Sequence, residues 1–371
     1  MFFPLSFSIL SLAAGMTLAT PSKRADGISI KLATPSSTIS SLNDLELTAT
    51  VVNEGPQTVS ILKYGTVLDD KLPTQSFMVT KDNSPVAFNG IKVSVSMAHT
   101  DDTAFAVIEP GKNLTVKHNI ASIYDFASAG TGKFTFKPNA YFLMSAQSND
   151  AKVLAASSAP FSHFEVTSSE SVDVEITGGL ISASSQVLHT RAFNNCTDPT
   201  KKNIIDLGYA EAKMLTSNAS SYVTAEGNNT LFDEYFGSTP TADVIAVLNG
   251  VANENNSSRS LNCVDVYGAC TESGLIAYTI IATTDIFFCD IFFQEAVPAT
   301  SLCNGTSVDD RIVRGGTVLH ELTHAIGATV DITYGCEADQ ALTPAEKVSN
   351  ADNFNVGSII LSNTIWAVAD G

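Results

Sequence analysis

The chain has 371 residues, 44% of them hydrophobic, and its 38 acidic against 20 basic residues leave a formal net charge of −18. Such a surplus repels nucleic acid phosphates and anionic bilayers, so neither nucleic acid nor membrane is expected as a partner, and cationic ones are favoured. After the leader, no segment carries the roughly eighteen consecutive apolar residues that a bilayer-spanning helix needs.

The leader itself is an apolar run (Phe2, Phe3, Leu5, Phe7, Ile9, Leu10, Leu12) followed by small residues. It reads as a secretory signal peptide over residues 1–19, cleaved near Ala19. Lys23-Arg24 follows as a pair of basic residues suited to proteolytic processing. From Ile28 to about Ile181 apolar and polar residues alternate, as in Leu45–Val51, Ile91–Val95 and Lys133–Phe136, with turn stretches such as Asn53-Glu54-Gly55-Pro56 and Asp82-Asn83-Ser84-Pro85 between them. Short strands at this spacing predict a β-sandwich-like region over residues 20–191. Arg191 then stands just before a change of texture, either as a processing point or within an ordinary linker; processing is the favoured reading.

Residues 192–371 hold all six cysteines and carry 22 acidic against 7 basic residues. An even cysteine count in an exported chain implies disulfides. Sequons at Asn113, Asn195, Asn218, Asn228, Asn255, Asn256 and Asn304 fit a glycoprotein of the secretory pathway. Ile204, Leu207, Gly208, Ala212 and Leu215 fall at helical spacing and predict a helix over Lys201–Ser220, although Gly208 weakens it. A further helical segment opens at Thr239-Pro240, and strand-like runs follow at Leu275–Thr283 and Ile286–Phe293. The next helix begins near Gly316-Thr317, with Gly327 able to end it. Thr343-Pro344-Ala345-Glu346 resembles a capping box and predicts a last helix running past Phe354.

His320-Glu321-Leu322-Thr323-His324 lies on the Gly316 helix. Residues i and i+4 share a helix face, so both imidazoles can reach one metal ion. The glutamate between them is spaced as a general base rather than as a ligand. A catalytic zinc needs a third protein ligand and an open position. The other four histidines all precede Arg191, and Val330 occupies the place of the last histidine of an H-E-x-x-H-x-x-G-x-x-H site. Cys336 is expected in a disulfide, which leaves Asp331, Glu337, Asp339, Glu346, Asp352 and Asp370. Glu346 would suit a glutamate on the following helix, and Asp331 a chain that turns at Gly327 and returns.

His320-Glu321-x-x-His324 followed by Asp331-x-x-Tyr334-Gly335, with Asn350-Ala351-Asp352-Asn353-Phe354 beyond, resembles the deuterolysin (aspzincin) family of secreted fungal zinc endopeptidases. The resemblance spans leader, propeptide and mature domain. It implies one Zn2+ held by His320, His324 and Asp331, with Glu321 as base and Tyr334 as the donor to the tetrahedral oxyanion. Asp352 matches a family aspartate that serves either as a ligand or as an acceptor behind a ligand histidine, the second being the favoured reading, and Cys196/Cys263 and Cys270/Cys289 stand in family-like positions. Ala328 replaces the family's glycine, the segment from His324 to Asp331 is short, and the family's C-terminal cysteine is missing; Cys303 pairing with Cys336 would compensate.

The expectation is therefore a secreted, monomeric zinc metalloendopeptidase made as a preproenzyme: a β-sandwich-like propeptide, then an α+β zincin-like catalytic domain with a zinc-binding helix. Its partners are protein or peptide substrates, basic ones favoured by its charge, and its own propeptide before processing. Leu275–Thr283 is a strand on which an extended substrate could pair. The rival from another class is a secreted binding protein with a structural zinc site and no catalysis, in which Glu321 and Tyr334 would have no purpose.

Overall fold

The computed structural model describes residues 27–147, 161–166, 168–178, 193–304, 308 and 312–369. The leader, Lys23-Arg24 and Arg191 lie outside the described residues. No helix of the described residues is long and apolar enough to cross a membrane.

The N-terminal region is built from β-strands in three sheets around one apolar core. Alternation works as expected in Glu46–Asn53, where Leu47, Ala49 and Val51 point inward and the residues between them are half-buried. This strand lies between Ile28–Ala33 and Asn113–Asn119. Asp82 and Asn83, both with positive φ (49° and 61°), form the two-residue turn joining Phe77–Lys81 to Ser84–Pro85.

One strand of this region behaves differently. Ile91–Val95 is buried along its whole length, including Lys92 at 8% and Ser94 at 5% exposure. It pairs antiparallel with Leu275–Ile280 and so ends a mixed sheet in the C-terminal region, in the order Phe193–Asn194, Ser260–Asn262, Asp285–Phe288, Leu275–Ile280, Ile91–Val95. An alternating pattern reports one buried face. Here the polar face is covered as well, because it lies against the C-terminal region.

That region combines the mixed sheet with helices Pro199–Glu226, Thr241–Ala252, Arg314–Gly327 and Ala351–Ala369. The first is longer than Lys201–Ser220 at both ends. Asp198 accepts the N–H groups of Thr200 and Lys201, and Pro199 opens the first turn. Gly208 has a packing reason: a Cβ there would lie 3.0 Å from Arg314 Cγ and Val318 Cγ2, so its absence lets the motif helix approach closely. Phe354 is fully buried, with its ring 5.2 Å from that of Phe236. Phe354→Ala is expected to destabilise the fold by about 3–5 kcal/mol through the cavity it leaves, as a shift in the urea unfolding midpoint.

Two expected elements come out differently. The run Ile286–Phe293 is not one strand: Asp285–Phe288 is extended, and Asp290–Glu295 is a short helix that buries Phe292. An apolar run alone does not separate strand from helix. The last helix is also broken. Thr343 and Glu346 do form a capping box, but Pro344–Lys347 stops after one turn and a new helix starts at Ala351. Disulfides join Cys196 to Cys263 and Cys270 to Cys289; the Cys303 side chain lies outside the described residues, so its pairing with Cys336 stays an expectation.

Candidate metal centre and substrate cleft

The motif helix is anchored at its start by Glu211, whose carboxylate bonds the Arg314 guanidinium (Nη2–Oε1 2.5 Å) and accepts the Gly315 N–H at 3.1 Å. A negative charge there complements the helix dipole. Val318, Leu319 and Leu322 fill the core, while His320, Glu321 and His324 are buried at the cleft side. The two imidazole rings sit 4.8 Å apart, as spacing i, i+4 requires.

The turn after the helix brings in the carboxylate. Gly327 is the last helical residue, and Ala328 takes the left-handed conformation (φ 53°) that glycine usually supplies. Val330 then bridges to the gap in the last helix: its N–H reaches Ser349 O at 2.8 Å and its carbonyl accepts the Ala351 N–H at 3.0 Å. Asn350 locks this turn, accepting the Ile332 N–H at 2.9 Å and donating to Asp339 Oδ1 at 3.0 Å. The break in the last helix thus exposes the backbone that holds Asp331 in place.

Asp331 Oδ1 lies 3.1 Å from His320 Nε2 and 3.0 Å from His324 Nε2. One donor atom from each of His320, His324 and Asp331 falls within 4.8 Å of the others. Behind them, His324 Nδ1 faces Thr329 O at 3.0 Å, and His320 Nδ1 faces Asp352 Oδ1 at 3.6 Å. Asp352 is itself held by the Gly335 N–H and the Asn355 amide, each at 2.8 Å. Glu321 Oε2 accepts the Thr279 hydroxyl at 2.6 Å, whereas Oε1 is buried without a partner. Tyr334 lies nearly parallel to His320 (20° between planes), and its hydroxyl donates to the Val93 carbonyl at 2.8 Å.

The electrostatics follow from burial and crowding. Burial pushes the Glu321 carboxyl up to about 8 against the pull of His320 and Thr279. Burial also works to lower His320, but hydrogen bonds to Asp331 and Asp352 outweigh it and lift the group to about 10. Burial lowers His324, and Asp331 only partly offsets this. Burial opposes charge on Asp331, yet the two histidines hold its carboxyl far below the usual range. Two imidazoles and one oxygen ligand around a buried, partly unpaired cluster make a donor set suited to Zn2+.

The remaining carboxylate candidates go elsewhere. Glu346 is used in its capping box, and Asp339 is fully buried beside Asn350. Glu337 and Asp352 line a cavity of about 450 Å³ together with Ser94, Thr317, Tyr334 and Asn355. Asp370 lies outside the described residues. Thr279, Thr329 and Lys92 were not legible as site residues. Each is an ordinary strand or loop residue locally and reaches the centre only through pairing of distant segments.

The deuterolysin metalloprotease (M35) family pattern matches residues 1–362. A neutral protease 2 homolog of Pyricularia oryzae is 28% identical over 327 residues, covering 85% of this chain and 88% of that protein. A peptidyl-Lys metalloendopeptidase of Armillaria mellea is 27% identical over 346 residues, covering 89% and 91%. The solved zinc peptidase of Grifola frondosa aligns with 44% of this chain and 96% of its own, at 22% identity and a TM-score of 0.36. The class is thus an α+β metallopeptidase with a candidate metal centre on a helix. The chain belongs to the deuterolysin family, and it is a metalloendopeptidase.

Proposed function

We propose that the chain is a secreted preproenzyme: a signal over residues 1–19, a β-sandwich-like propeptide over 20–191, and a zinc endopeptidase domain over 192–371. His320, His324 and Asp331 would hold the zinc. The observation that carries this is the convergence of those three donors beside the unpartnered Oε1 of Glu321. A bound zinc ion supplies Lewis acidity, making water more acidic and polarising a carbonyl. Thr279 fixes one Glu321 oxygen and leaves the other to take the proton of the attacking water and pass it to the leaving amine. Once released from the Val93 carbonyl that it bonds here, the Tyr334 hydroxyl would donate to the substrate carbonyl oxygen as negative charge builds there. A preference for basic substrates is supported by the 22 acidic against 7 basic residues of 192–371 and by Glu337 in the cavity beside Tyr334.

The test is zinc content and casein hydrolysis of the processed protein before and after treatment with a chelator. One zinc per chain and activity lost on chelation and regained with Zn2+ are expected; metal-free protein of undiminished activity would sink the reading. Asp352 orients His320 in this scheme. Asp352→Asn is expected to weaken zinc binding about 10–100-fold, measured by competition with a chromogenic chelator.

A further inference from the structure

Three polar contacts of the candidate site are made by a strand of the N-terminal region. Lys92, Val93 and Ser94 pair with Thr279, Tyr278 and Ala277, so the segment lies opposite the residue that holds Glu321. The Val93 N–H donates to Asp331 Oδ2 at 3.0 Å, and its carbonyl accepts the Tyr334 hydroxyl at 2.8 Å. The Lys92 ammonium donates to the Thr329 carbonyl, the same oxygen that faces His324. Ser94 and Val95 continue along the wall of the cavity that contains Asp352 and Glu337.

We propose that Ile91–Val95 is an inhibitory strand that occupies the peptide-binding edge of Leu275–Ile280, with the Val93 carbonyl seated on Tyr334. This rests on the endopeptidase reading and adds how the uncleaved chain is kept silent. Strand addition gives affinity through main-chain hydrogen bonds, and an edge strand offers one such row. That row is filled along Ile91–Val95, so an incoming extended peptide has no backbone partner there. Val93 also takes up the hydroxyl and one carboxylate oxygen that would face a scissile peptide. Nothing in this contact needs a cysteine. Outside the strand, Ser96 N–H bonds Gly274 O at 2.9 Å, Tyr64 O–H bonds Ser273 O at 3.0 Å and Lys71 pairs with Glu272 at 2.9 Å, which hold the segment in register.

The experiment uses the full chain, zinc-loaded and shown uncleaved by intact mass, on an internally quenched extended peptide. The same preparation after processing near Arg191 is the reference. Uncleaved protein is expected to turn over at least about tenfold more slowly, and Val93→Pro, which removes the N–H held by Asp331, to recover most of the loss. Hydrogen exchange is read in parallel: amides of residues 275–280 and 91–95 are expected to be protected in the uncleaved chain, and those of 275–280 to exchange faster once it is processed. An active processed chain with an equally active uncleaved one overturns the inhibitory strand alone. A zinc-loaded processed chain without activity overturns the endopeptidase reading and the proposal with it. Should Val93→Pro fail to fold, the exchange comparison decides, and unchanged protection on processing overturns the proposal.

Discussion

Glu321→Gln is expected to reduce casein hydrolysis by about 10²–10⁴-fold while leaving zinc content at the wild-type level, because the amide keeps the shape of the carboxylate and cannot accept a proton. The geometry makes this separation of effects clean. Glu321 is not among the three clustered donors, and its Oε2 contact to Thr279 can be kept by the amide oxygen. Its Oε1 is buried without a partner in the protein, which is how a group reserved for a reacting molecule should look. Steady-state kinetics beside metal analysis reads both quantities on one sample. A variant with full zinc and wild-type turnover would remove Glu321 from the chemistry.

Asp331→Ala is expected to abolish activity and to weaken zinc binding by more than about a hundredfold, beyond the roughly 10–100-fold that loss of an outer partner costs. Asp331 is the only one of the three donors that does not lie on the motif helix, and it carries the cluster's negative charge. Without it, two buried imidazoles face each other with no carboxylate between them. The loop should survive the change, since Val330 and Asn350 hold its backbone independently of the Asp331 side chain. Isothermal titration with Zn2+, next to a thermal melt of the metal-free variant, distinguishes lost coordination from lost folding. Unchanged affinity in a folded variant would mean that another group completes the site.

Comparing Asp331 with Glu346 shows where sequence reasoning reaches its end. Both have acceptable spacing from the motif, and the capping-box pattern at Thr343–Glu346 predicts one continuous last helix running past Phe354. The structure breaks that helix at residues 348–350 and uses the break: Ser349, Asn350 and Ala351 supply the backbone and amide groups that fasten Val330 and the residues after it. Glu346 is left closing a one-turn helix. Ala328 is a similar case. Its replacement of glycine is visible in the sequence, but the left-handed turn it nevertheless adopts is not. The resemblance to the deuterolysins, not the spacing, singled out Asp331.

The sequence by itself determined whatever depends on short separations. The i, i+4 histidines with their intervening glutamate, the long helix after Arg191 and the β-rich first half all rest on periodicity within one element, which local sequence encodes directly. The tertiary structure decided which distant segments meet: Asp331 with the motif helix, Thr279 with Glu321, Asp352 behind His320, and Ile91–Val95 on the edge of Leu275–Ile280. A strand's hydrogen-bonding edge is made of backbone groups that every residue carries, so its partner is chosen by packing and register across the fold and leaves almost no mark on the residue pattern.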